Sequence, residues 1–472
     1  GDARGFLLAS LARKDAALIR DPGLEPSHVV FANAQQARVA TQTLKAFGEA
    51  GGTAAKAKTS APDAPSPAGN AMTDAEAVAH GKGQAQTKRQ PEAMTVAPET
   101  PAQIRRTAFQ REMAARMEQA RTTEGAFVER LVMFWSNHFC VNASKGAVLG
   151  LAGAFEREAI RPHVLGRFAD MLLAVEQHPA MLIYLDNQVS TGPNSPVGRS
   201  RNRGLNENLA REILELHTLG VDGGYTQADV TNLAHVITGW TIGQANQPNA
   251  EHGRFFFAAF RHEPGTHRVL GQSYGNAGVT AGQQCLADLA RHPATGRHLA
   301  RKLAIHFVSE TPPPALLTRL ETAFRDSDGH LAAVARALVT ADEAWSAPPR
   351  KVLPPYDFMV ALLRAFDLEQ VPVLERARLM ATLGQPLWQP PSPKGWPDSD
   401  ETWAGPSTLR ERLRIAERVA ALLAQRGHDP RSLAEALFGA ALSEATRQAI
   451  ARAEAREQAF ALLIMSPEFQ RR

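Results

Sequence analysis

At 472 residues the chain is long enough for two or three ordinary domains, or for one large helical domain with insertions. A hydrophobic share of 44% and a charged share of 21% are those of a globular protein, and 52 basic against 48 acidic residues leave a net charge of only +4. No run of lysine and arginine is interleaved with aromatics, which excludes the usual nucleic-acid footprint, and no stretch approaches the ~20 apolar residues that span a bilayer.

The low aromatic content, 6%, and the recurrence of alanine, leucine and arginine favour helix over sheet, because unbranched side chains lose little rotamer freedom in a helix. Cys140 and Cys285 are the only cysteines. They exclude a zinc site built on thiolates, and fit either one disulfide or two buried thiols. Gly1 opens the chain with no apolar signal core behind it, which fits a removed leader or a beginning inside the gene.

In chain order, residues 1–48 read as short amphipathic helical pieces that pack on the main domain, such as "ARGFLLASLARKD" and "QQARVATQTLKAF". Residues 49–101 are rich in Ala, Gly, Pro, Ser and Thr with almost nothing large to bury, the composition of a disordered insertion. From 102 to 472 the text is helix after helix, one large all-α domain with long irregular loops. Its candidates include Arg157–Val175, Glu207–Thr218, Ala228–Trp240, Thr295–Val308, Leu331–Thr340, Asp357–Phe366 and Leu409–Gln425. Strand-like text is confined to "GRFFFAAFR" and the small "GGYT" turn.

Two polar connectors are long enough to be functional, 186–206 and 385–406. The second carries Trp388, Trp396 and Trp403 in a proline-rich backbone. Its rings fit a platform over a cleft as well as a packed lid without a ligand.

The densest chemistry is "NENLAREILELHTLGVDGGYTQADV", Asn206–Val230. On a helical wheel Leu205, Leu209, Ile213, Leu214 and Leu216 take one side. Asn208, Arg211, Glu212 and Glu215 take the other, with Glu207 at its edge, so Arg211 can reach Glu207 and Glu215. The bland alternative is a solvated face whose charge pairs contribute only tenths of a kcal/mol each. His217 falls on the apolar side and reads as a structural core histidine. Thr226 and Asp229 form a capping box opening the next helix, with Asp in place of the usual Glu or Gln.

Further polar clusters occur in "FWSNHF" (Trp135, Asn137, His138), "HPAMLIYLDN" (Asp186, Asn187) and "RHEPGTH" (His262, Glu263, His267). None has a diagnostic metal spacing such as HExxH, and GxSxG, P-loop and GxGxxG motifs are missing.

These segments, followed by "ITGW", "HPATGRHLARKLAIHFV", "LGQPLWQPPSPKGWP" and the closing "LIMSPEFQ", resemble in order the family called domain of unknown function 1800. The resemblance covers roughly 102 to the C-terminus, and the opening residues look like the middle of that family's N-terminal region. It implies a bacterial protein, periplasmic or secreted, often encoded beside a sulfatase-like partner. By motif it singles out Trp135, His138, Asn187, Asn206, Glu207, Asn208, Arg211, Glu212, Glu215, Tyr225, Thr226, Asp229 and His262. Two positions depart from the pattern. Glu263 stands where aspartate is usual, and His235 stands where arginine is common.

Three functions follow as expectations. The first is an envelope hydrolase with Glu212, Glu215, His138 and Arg211 as catalytic residues, binding substrate through Trp135, Asn187, Asn208, Tyr225, Trp396 and Trp403. A glycan-type substrate is suggested by analogy with carboxylate pairs in muramidases and retaining glycosidases. The second is a non-catalytic envelope binding or assembly protein. The third is a redox enzyme with a divalent metal as cofactor, held by His138, His262, Glu207 and Glu212.

Overall fold

The computed structural model describes residues 2–13, 15–57, 99–201, 204–346 and 350–472. Among them the fold is all-α in character, with twenty-two α-helices and two two-stranded antiparallel sheets. The chain divides into two compact units, Gly1–Ala32 with Arg105–Arg472, and Asn33–Ile104. The smaller holds most of the helix Ser27–Ala57, which continues into the stretch read as low-complexity. Residues 58–98 of that stretch lie outside the described residues.

In the larger unit, amphipathic helices bury one stripe each. Pro406–Gln425 packs on Arg456–Ile464, and Pro293–Phe307 on Pro314–Asp326, which in turn meets Leu331–Thr340. No helix among the described residues is long and apolar enough to cross a membrane. Both cysteines are free and buried.

The helix expected over Arg157–Val175 is broken. A π-helical turn (Glu156–Ile160) and a 3₁₀ turn (Arg161–His163) precede a separate helix, Phe168–Glu176. Pro162, which has no N–H to donate, falls at the break. The π turn serves a buried ion network. Arg161 donates to Glu129 at 2.7 and 2.9 Å, to Glu156 at 2.8 and 3.0 Å, and to the Ala17 carbonyl. Arg116 pairs with the same Glu156.

The short sheets frame the loop region. β1 (Trp240–Ile242) pairs with β2 (Phe255–Phe257), inside the "GRFFFAAFR" segment. β3 (His267–Val269) and β4 (Gln272–Tyr274) form a hairpin that the sequence reading missed. Its turn residues Leu270 and Gly271 have φ +49° and +82°, the two positive values a tight primed turn requires. Leucine is a poor signal for such a turn. Here Asp229 compensates by accepting the Leu270 N–H at 2.7 Å. The "GGYT" segment is a glycine turn and not a strand.

Candidate active site

The helix Ala126–His138 buries Phe127, Val128, Leu131, Val132, Phe134 and Trp135 along one stripe and ends on a 1% exposed His138. Its imidazole is held at both nitrogens. Nε2 lies 3.1 Å from the His217 carbonyl and Nδ1 2.9 Å from Lys302 Nζ. A carbonyl only accepts, so Nε2 carries the proton and Nδ1 offers its lone pair to the ammonium. Burial, with smaller contributions from Lys302, His298 and His217, holds protonation of His138 well below the usual imidazole range.

The acidic helix lies directly against this point. It is α-helical over Asn208–Glu212 and π-helical over Ile213–His217. A helix end leaves carbonyls without partners. Here two imidazoles take them: His138 binds the His217 carbonyl, and His298 Nε2 binds that of Leu216 at 3.1 Å. The His217 ring turns inward, its Nδ1 2.7 Å from Glu176 Oε1, both residues fully buried. His217 is the core residue expected, although its partner came from a helix not singled out in the sequence.

Glu212, the last α-helical residue before the π turn, is half-buried. Burial raises its carboxyl above the usual range, His217 and Arg211 draw it down, and Glu215 and Glu176 push it up. Its charge in turn raises the Cys140 thiol and the Tyr184 hydroxyl, both shifted mainly by burial. Lys302 is held down to about 8 by burial, with Cys140 and Asp398 pulling it upward and Lys394 pushing it lower. Glu212, Cys140, Tyr184, Lys302 and His138 therefore form one electrostatically linked cluster. Cys140 itself is a donor, its Sγ reaching the Ser392 and Pro393 carbonyls, and burial pushes its thiol up to about 12. It is not a poised thiolate.

Three titratable groups of this region were overlooked in the sequence. His298, Lys302 and His306 lie at i, i+4 and i+8 of the helix Pro293–Phe307 and so share one face. His298 binds the Leu216 carbonyl, Lys302 binds His138, and His306 Nδ1 meets Asp398 Oδ2 at 2.6 Å. Their spacing was a legible signal, three ionisable residues on one stripe of an otherwise apolar face.

The other expected residues separate into distinct places. Arg211 donates to Glu207 at 3.3 Å and to Gln227 at 3.0 Å, while Glu215 accepts the Tyr225 hydroxyl at 3.3 Å. Glu207 is further occupied by Gln227 and Thr231, which lower its carboxyl. Asn208 is exposed. The expected metal set does not converge. Both nitrogens of His138 are engaged, Glu207 belongs to the outer network, and His262 Nδ1 binds the Thr238 carbonyl. Among the described residues no three or more His, Cys, Asp or Glu side chains are grouped to hold a metal ion.

Trp135 is not a substrate platform. It is 1% exposed and packed by Phe134, His138, Phe139 and Phe168, so neither face is open. Asn187 is likewise core, its amide donating to the Ile237 and Trp240 carbonyls. It anchors the "ITGW" segment.

The tryptophan loop is pinned onto the end of the Ala126–His138 helix. Asn137 exchanges two hydrogen bonds with the Trp396 backbone (2.7 and 3.0 Å), and Asn142 donates to the Pro390 carbonyl. Gly395 has φ +85°, and a Cβ there would stand 2.5 Å from the Asn137 carbonyl oxygen, so only glycine fits this contact. Trp388 and Trp403 are buried with their indole N–H groups bonded to Glu156 and to the Pro397 carbonyl. Together with half-buried Trp396 they border a cavity of about 90 Å³ that reaches Cys140.

Fold and site define a mostly helical protein with a cluster of ionisable groups at one helix end. The chain belongs to the family described as "Protein of unknown function (DUF1800)", whose model matches residues 26–471. The resemblance noted in the sequence thus extends over nearly the whole chain. No curated protein and no solved structure matches it.

Proposed function

We propose that the protein is an acid–base hydrolase in which Glu212 is the general base and Lys302 is the second titrating group. One observation carries this reading. A carboxyl raised by burial and an ammonium lowered to about 8 share Cys140 as a neighbour, so an acid and a base of opposite kinds are both shifted toward neutrality. His138 is a positioning residue here, since both its nitrogens are bonded and it holds Lys302 against the π turn. Glu215 and Arg211 shape the field around Glu212. Half-buried Trp396 is assigned to substrate contact, with buried Trp403 behind it, and a glycan is the substrate class that suits an open indole face. The periplasmic or secreted location and the sulfatase-like partner implied by the family resemblance belong to the same proposal.

With Glu212 as base and Lys302 as a cation facing developing negative charge, activity rises as Glu212 ionises and falls above about pH 8. The purified chain is assayed on peptidoglycan, chromogenic glycosides and esters. Hydrolysis by the wild type, lowered ~10²- to 10⁴-fold in Glu212→Gln, is expected. Full turnover by that variant, or no turnover of any substrate by the wild type, refutes the assignment. A second reading, a binding or assembly protein, draws on the fact that Glu207 and Glu215 are already occupied by neighbours.

A further inference from the structure

A second site, independent of the Glu212 cluster, lies between the helices Ala126–His138 and Pro355–Ala365. They border a half-open cavity of about 190 Å³ lined by Arg130, Tyr356, Met133, Leu353, Val360 and Ala361. Below the roughly 300–1,000 Å³ of drug-sized pockets, it suits a small ligand.

Arg130 is unlike its neighbours. Arg116, Arg161, Arg412 and Arg472 all hydrogen-bond to carboxylates, an amide or carbonyls. Arg364, which also borders the cavity, donates to three backbone carbonyls. Among the described residues Arg130 has neither a hydrogen bond nor an ion pair. The Phe307 ring lies 5.3 Å from its guanidinium carbon, and its buried Nε is unpartnered. The buried Tyr356 hydroxyl on the same cavity is unpartnered as well. Arg130 as a whole is half-buried, and proteins seldom leave buried donors unpaired, so its Nε and the Tyr356 hydroxyl, two orphaned donors from residues lining one cavity, point to an acceptor from outside the chain.

The charges nearby select its class. Glu129 and Asp357 also border the cavity, each matched by its own arginine, Arg161 and Arg472. Those carboxylates repel a second negative charge, whereas the single charge of a monoanion meets Arg130, the one arginine of the lining with no hydrogen-bond partner among the described residues. The remaining wall is aliphatic. We propose that this cavity binds a small aliphatic monocarboxylate, its carboxylate on Arg130 and its alkyl tail against Leu353, Val360 and Ala361.

Isothermal titration calorimetry of the full chain with sodium butyrate, sodium hexanoate and inorganic phosphate tests this. Saturable binding of at least one carboxylate, none of phosphate over the same range, and at least tenfold weaker carboxylate binding by Arg130→Met are expected. Without ligand, Arg130→Met should melt no lower than wild type, because it deletes an unmatched charge and not a bonded one. Should that variant fold poorly, Val360→Phe, which fills the tail end, should abolish hexanoate binding. No saturable binding of either acid, phosphate binding as tightly, or undiminished binding by both variants overturns the proposal.

Discussion

His298 offers a direct test of the imidazole-capped π turn. Its Nε2 donates to the Leu216 carbonyl at 3.1 Å, and burial together with Lys302 lowers its protonation to about 4. The unfolded chain has an ordinary imidazole near 6.5. Since the folded value is the lower one, the unfolded state takes up the proton first as pH falls. The contribution is therefore complete above about pH 6.5, declines between there and about pH 4, and then levels off. At about 1.4 kcal/mol per pH unit the full loss is about 3 kcal/mol, and at pH 5 it is about 2 kcal/mol. His298 is only partly buried, so solvent screening makes these figures upper ones. His298→Gln keeps a donor for the carbonyl but does not titrate. Urea unfolding of both proteins near pH 7.5 and near pH 5 should show the wild type losing up to about 2 kcal/mol more than the variant. Equal losses would refute the argument, and so would an imidazole resonance of His298 that titrates near 6.5 in the folded protein.

Asn137→Ala removes both partners of the Trp396 backbone, leaving one N–H and one carbonyl unsatisfied. At about 1–3 kcal/mol for each such group, a loss of about 2–6 kcal/mol is expected, with a red-shifted tryptophan emission as the loop lifts. An unchanged spectrum and midpoint would show the loop to be held elsewhere. Arg161→Met strips Glu129 of its cation while Glu156 keeps Arg116. Removing one partner of a buried network costs about 3–5 kcal/mol, so chemical denaturation should register a loss of that size, and a change under about 1 kcal/mol would contradict the network's role.

Much of the fold was legible because amphipathic periodicity is a local property. The helix Leu331–Thr340 appears with its expected ends, and Pro406–Gln425 begins three residues before the expected Leu409. The Thr226–Asp229 capping box is present as read. Its aspartate also pins the β3–β4 turn, a second task that depends on a hairpin forty residues away. Site reading was less even. Motif density led to Glu212 and His138, which the fold brings to one helix end, but it also promoted Trp135 and Asn187, which are core. A tryptophan at an inner helical position looks the same in sequence whether its ring meets a ligand or Phe168.

The amino-acid sequence by itself determined most of the helices and the face on which the acids of Asn206–Val230 lie, since each depends on residue type and short-range spacing. Tertiary structure alone decided which titratable groups meet: His138 with Lys302 across 164 residues, His217 with Glu176 across 41, and the tryptophan loop with Asn137 across 259. Those pairings, and the burial that moves their proton affinities, arise from packing between distant helices, which no local pattern of residues encodes.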